Sequence, residues 1–122
     1  MMISAIFGVL LATQAPAMPP AISEPARLSM EAQAALRCSA AFALVSYGQE
    51  HGTEASAKWP NLGERGREYF VQVMAQLIDE TGRDREQVAE MAKVEAQRLL
   101  DAGEVDQVMP ACLTMLENSG IE

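Results

Sequence analysis

MEAQAALRCSAAFALVSYGQ, residues 30–49, carries the clearest structural pattern in the chain. Within it Ala34, Ala35, Cys38, Ala41, Phe42 and Val45 recur at spacings of three and four, which puts them on one face of an α-helix. Ser29 just ahead is a natural N-cap, because its hydroxyl can accept a backbone N–H that the helix leaves unpaired. Glu31 suits the positive end of the helix dipole. Six alanines between Ala32 and Ala43 make the helix thin, so neighbours can approach closely. Gly48 and Gly52 mark its end.

Toward the C-terminus, residues 53–61 (TEASAKWPN) read as a connection, since Pro60 forbids helix continuity through Trp59. A second helix is expected from 62 to about 80, with Tyr69, Phe70, Val73, Met74, Leu77 and Ile78 as its apolar set. Thr81 and Gly82 stop it. Asp84 then caps a third helix, with Gln87 placed three residues on as in a capping box. That helix runs to about 102 through Val88, Met91, Ala92, Glu95, Ala96, Leu99 and Leu100, and Gly103 ends it. Val105, Val108, Met109, Cys112 and Leu116 form a last stripe. Pro110 interrupts it, which predicts a short turn to Met109 and a helix starting near Pro110, ended by residues 118–120. No stretch has the period of a half-buried strand. The expected fold is all-α, a small bundle of about four helices.

Toward the N-terminus, Pro19, Pro20 and Pro25 keep residues 18–28 extended. Ahead of them lies the apolar run 3–12 (ISAIFGVLLA), with no charge before Glu24. A membrane span needs about 20 apolar residues, so this run is too short to be one. It matches the apolar core of a secretory signal peptide, roughly 7–15 residues long. Cleavage after Ala15 would leave Pro16 just past the cut, so the expected cut follows Ala17. The leading Met1-Met2 supplies no Lys or Arg; either the free amine serves, or the start lies upstream. The domain plan is therefore a cleaved signal peptide, 1–17, an extended Pro-rich segment, 18–28, and a helical domain, 29–122.

Export sets the reading of the two cysteines. Cys38 and Cys112 have no CxxC spacing, which excludes a thioredoxin-type motif. With one histidine in the chain they cannot close a tetrahedral zinc site. In an oxidising compartment a structural disulfide remains. It would join the first and last helices across a long loop, worth roughly 4–5 kcal/mol in the chain-entropy view.

Among 122 residues, nine Lys and Arg stand against seventeen Asp and Glu, a net charge of -8. Such a chain has no electrostatic footprint for nucleic acid or anionic lipid, and no nucleic-acid partner or membrane span of the mature form is expected. From Glu104 to the end the charges are all acidic: Glu104, Asp106, Glu117 and Glu122. The turn around Thr81 and Gly82 loosely imitates a helix-turn-helix. Its second helix, however, carries Glu86, Glu90 and Glu95, the wrong sign for reading DNA. Asp79, Glu80, Asp84 and Glu86 surround the same turn, but Arg83 and Arg85 occupy the place a calcium ion would need. The methionines lack the close spacing of a Cu(I) site and read as core filler. His51 has no partner motif for general-base work, and no serine lies in a GxSxG or SxxK context. No catalytic residue, cofactor or metal is expected.

One recognition surface stands out. Tyr47 and His51 precede the 53–61 connection, and Lys58 and Trp59 close it, with the only Trp of the chain. Aromatic side chains on a loop held by a rigid scaffold are common binding anchors. The alternative is that Trp59 folds back with Leu62 as a plug on the bundle.

Three blocks, Arg37-Cys38-Ser39-Ala40-Ala41-Phe42, Leu62-Gly63-Glu64-Arg65-Gly66 and Met109-Pro110-Ala111-Cys112-Leu113, carry a family likeness. On them the chain resembles uncharacterised short exported helical proteins of Gram-negative bacteria with a Cys pair. That resemblance implies export and the pairing, and transfers no catalytic residue. By size and architecture alone the chain is also similar to small periplasmic acid-stress chaperones, whose sequence motifs it does not match.

The leading functional expectation is a periplasmic or secreted non-enzymatic protein acting through protein contacts, of immunity or inhibitor type. The alternative is an acid-stress holdase. Protonating the carboxylates would turn -8 into roughly +10, a self-repulsion able to open the bundle. An enzyme or metal carrier ranks third. The intact mass of protein recovered from the periplasm of a native-like host should begin at Met18, with no thiol alkylated before reduction. An uncleaved chain with two alkylatable thiols would overturn the export reading.

Overall fold

The computed structural model describes residues 28–122. The expected signal peptide and all but the last residue of the expected Pro-rich segment lie outside the described residues. Among the described residues five helices follow one another: α1 (Met30–Glu50), α2 (Glu54–Ala57), α3 (Gly63–Thr81), α4 (Arg85–Ala102) and α5 (Val105–Asn118). Four are long and α2 is a single turn, so the chain is the all-α bundle its periodicity predicts.

Local chemistry sets most of the boundaries. Ser29 caps α1 by accepting the Ala32 N–H at 3.1 Å. Asp84 and Gln87 close the full capping box on α4. The Gln87 N–H donates to Asp84 Oδ1 at 2.8 Å, and the Asp84 N–H donates to Gln87 Oε1 at 3.1 Å. Gly82 and Gly103 end α3 and α4 with φ of 68° and 65°, a left-handed backbone that glycine adopts without a Cβ clash.

α1 is the shaft of the bundle, and α3, α4, α5 and the short α2 all pack on it. The expectation of a single buried face is therefore too narrow. Ala32, Ala35, Leu36, Cys38, Ser39, Ala40, Ala41, Phe42, Val45 and Gly48 are all buried, which takes in nearly the whole circumference. A helix this widely covered keeps little wet side on which a polar face can be selected; Glu31, Gln33, Ala43, Tyr47 and Glu50 are among its exposed residues. Ser39, fully buried, resolves its polarity inside the helix by donating to the Ala35 and Leu36 carbonyls at 3.0 and 3.1 Å.

Phe42 lies at the centre of the core and meets Tyr69 of α3 edge-on, with ring centroids 5.2 Å apart. Close to this crossing Gly66 is buried. A Cβ there would sit 3.3 Å from Leu62 Cβ and 3.5 Å from Phe42 Cβ, so α3 approaches α1 over bare backbone.

Two expectations are corrected. The 53–61 connection contains α2, one helical turn lying against the end of α1. The break at Pro110 does not occur, because α5 runs unbroken from Val105 with Pro110 inside it. Its helical bonding already begins with the Val108 N–H donating to the Glu104 carbonyl at 3.1 Å. Pro110 leaves only the Asp106 carbonyl without its helical donor. An interior proline costs about 3 kcal/mol. Burying Met109 and Leu116 offsets this at roughly 1.5–3 kcal/mol each, and both are fully buried beside Cys112.

Cys38 of α1 and Cys112 of α5 form a disulfide, with Cα atoms 5.1 Å apart and a sequence separation of 74. Both are buried, and Met115 Sδ lies 3.6 Å from the Cys38 sulfur. α5 packs chiefly on α1, so the bridge ties the last helix to the shaft. Replacing both cysteines by alanine should lower stability by about 2–5 kcal/mol, read as a fall in the urea midpoint. An unchanged midpoint would show that packing alone holds α5.

Candidate functional site

The last turn of α1 delivers Tyr47, Gly48, Gln49 and Glu50 to the start of the connection, and His51 caps the helix. The His51 backbone N–H donates to the Tyr47 carbonyl at 3.1 Å, and Nδ1 lies 2.8 Å from the same oxygen. A carbonyl only accepts, so Nδ1 is the donor in this contact. The imidazole also stacks on the Tyr47 ring, with centroids 4.0 Å apart and planes 26° from parallel. This holds an otherwise exposed tyrosine in place.

Gly48 lets the connection fold tightly under the helix. A Cβ at this position would lie 2.6 Å from Thr53 Oγ1 and 2.8 Å from Ser56 Cβ. Gln49 organises the rest of the connection. Its Nε2 lies 2.8, 3.1 and 3.2 Å from the carbonyls of Pro60, Trp59 and Ser56, and its Oε1 accepts the Leu62 N–H at 3.1 Å. One amide thus supplies donors and an acceptor to a stretch whose backbone has few helical partners.

At the far end of the connection, both oxygens of one α5 carboxylate are taken. Lys58 Nζ pairs with Asp106 Oδ2, and the Trp59 indole N–H donates to Asp106 Oδ1 at 3.2 Å. Lys58 Nζ also stands 5.6 Å from the Trp59 ring centroid, within cation–π range. Trp59 is half-buried, packed against the core with its polar edge tethered to α5. The Lys58 hydrogen bond, seconded by that of Trp59, holds the Asp106 carboxyl below its ordinary range and outweighs partial desolvation.

The four residues expected to form one contact surface thus form two pairs facing different elements. Tyr47 borders a groove of about 320 Å³ between α1 and α3, lined by Ser46, Glu50, Arg67 and Phe70. Lys58 and Trp59 face α5 instead, next to a groove of about 250 Å³ lined by Leu44, Val45, Leu99, Leu100 and Val105. A third cleft, about 380 Å³, is polar and lies among α1, α3 and the end of α5, with Glu31, Tyr69, Gln72, Gln76 and Asn118 on its walls. Burial pushes the Tyr69 phenol above its ordinary range.

The acidic C-terminal stretch is partly neutralised. Arg98 grips Glu95 with two hydrogen bonds, 2.6 and 3.0 Å, and reaches Glu104 at 3.1 Å. Arg37 of α1 approaches Glu95 from the other side at 3.9 Å. Glu104 and Asp106 are therefore engaged, while Glu117 and Glu122 are exposed. No group of three or more metal-ligating side chains occurs among the described residues, and none of their helices is long and apolar enough to cross a membrane.

Gln49 and Asp106 were not singled out by the sequence, because a glutamine at a helix end and an aspartate in a first turn look like ordinary surface residues. Gln49→Met keeps the side-chain volume and removes all four contacts. It should cost about 1–3 kcal/mol and speed hydrogen exchange at the Leu62 amide. Wild-type exchange there would refute the organising role.

Comparison with known protein families, with characterised proteins and with solved structures found no match to this chain.

Proposed function

We propose that this is an exported, non-enzymatic protein of the bacterial periplasm that acts through protein contacts made at the α1–α3 groove. The observation that carries the reading is Tyr47. It is 64% exposed, yet its ring is stacked on His51 at the end of a rigid helix. Beside it the groove offers the ring of Phe70 and the opposite charges of Glu50 and Arg67. Tyrosine and arginine are favoured anchors at interfaces, and a side chain already held in place loses less entropy on binding. The Cys38–Cys112 bridge supports an oxidising compartment, in keeping with export.

An inhibitor or immunity role fits this contact mode. Its acidic element is reduced to Glu117 and Glu122, since Arg98 and Lys58 occupy Glu104 and Asp106. The holdase reading draws support from a different place, the carboxylate of Asp106 that ties the connection to α5.

The test uses the folded protein as bait in periplasmic extract at neutral pH, wild type beside the Tyr47→Ala/Arg67→Glu double variant. A hot-spot loss of about 2 kcal/mol weakens binding roughly thirtyfold. A partner should be retained by the wild type and lost from the variant. Equal capture by both, or by neither, would refute the groove.

A further inference from the structure

We propose that residues 53–61 form a strap latched to α5 by the Asp106 carboxylate, and that acid releases its Lys58 and Trp59 side chains while the strap backbone and the helical bundle stay in place. The strap is fastened at two points of different chemistry. At one, the Gln49 amide holds the carbonyls of Ser56, Trp59 and Pro60, and no proton equilibrium in the acid range touches it. At the other, Lys58 and the Trp59 indole occupy separate oxygens of Asp106. Protonation of this carboxylate removes the charge that attracts Lys58 and weakens both bonds.

The surroundings of Asp106 contain little else that titrates. α1 presents Leu44 and Val45 to the adjoining groove, and α4 presents Leu99, Leu100 and Gly103. The strap itself contributes Ala55 and Ser56 to the groove and Lys58 to the carboxylate. The neighbouring acid, Glu104, is tied to Arg98. Among the described residues Lys58 is the one charged group that acts on Asp106.

The sign follows from linkage. A carboxyl whose folded value lies below its unfolded value stabilises the fold above the unfolded value, and loses that contribution as pH falls through the folded one. The latch is therefore closed near neutrality and opens below the ordinary carboxylate range. Opening stays local because the disulfide and the buried stripe of Met109, Cys112 and Leu116 hold α5 on α1 independently of Asp106.

The single Trp of the chain reports directly on the strap. Acrylamide quenching of Trp59 and far-UV circular dichroism are followed together from about pH 7 to about pH 2.5, spanning carboxylate titration. In the wild type, quenching should rise with a midpoint below the ordinary carboxylate range while the helical signal holds. Lys58→Met should move that midpoint upward. Asp106→Asn should give high quenching at neutral pH with no pH dependence. The latch is overturned if Asp106→Asn titrates like the wild type, if Lys58→Met leaves the midpoint in place, or if quenching rises only as helix is lost.

Discussion

Every element of this protein depends on the covering of α1. A helix hemmed in by α3, α4, α5 and α2 can carry large side chains only where a neighbour leaves space. That explains its run of small residues. Ala32, Ala35, Ala40 and Ala41 admit close neighbours, Phe42 fills the centre, and Gly48 gives way to the strap. A bulky residue at one of the buried alanines would push a whole helix outward rather than bend a side chain. The disulfide acts at the same shaft, so the most central helix is also the one to which the chain's last helix is bonded.

Around that apolar shaft, polar groups work as fasteners at the edges. Gln49 secures the connection from beneath, Asp106 secures it from α5, and Arg98 with Glu104 joins α4 to the start of α5. Exposed ion pairs of this kind add little to global stability, typically about 0–1 kcal/mol. Their effect is to choose where a connecting stretch rests, which is why a small change in one of them can move a local equilibrium without disturbing the core. The Tyr47–His51 stack belongs to the same class, spending one aromatic ring to orient another.

Legibility in the sequence divided along the range of the interactions. The capping box of Asp84 and Gln87, the stops at Gly82 and Gly103 and the apolar stripes of α3 and α4 all act within a few residues, and each is legible in residue types and spacing alone. α2 escaped notice because a single turn has no periodicity to detect. Pro110 misled because its local cost is plain in the sequence, whereas the burial that offsets it is not. At the candidate site, Tyr47, His51, Lys58 and Trp59 were legible as a cluster in sequence. Their separation into two pairs was not, since it depends on where α3 and α5 pack around the end of α1.

The sequence by itself determined an all-helical chain with bounded elements and a cysteine pair suited to bridging its first and last helices. These follow from residue types and spacing, through backbone sterics and periodic burial that operate over a turn or two. Only the tertiary structure decided that four other helices pack on α1, that Glu104 and Asp106 are engaged by Arg98 and Lys58, and that Gln49 holds the connection. Those outcomes join residues distant in sequence, and a polar side chain carries no local mark of the partner that folding will bring to it.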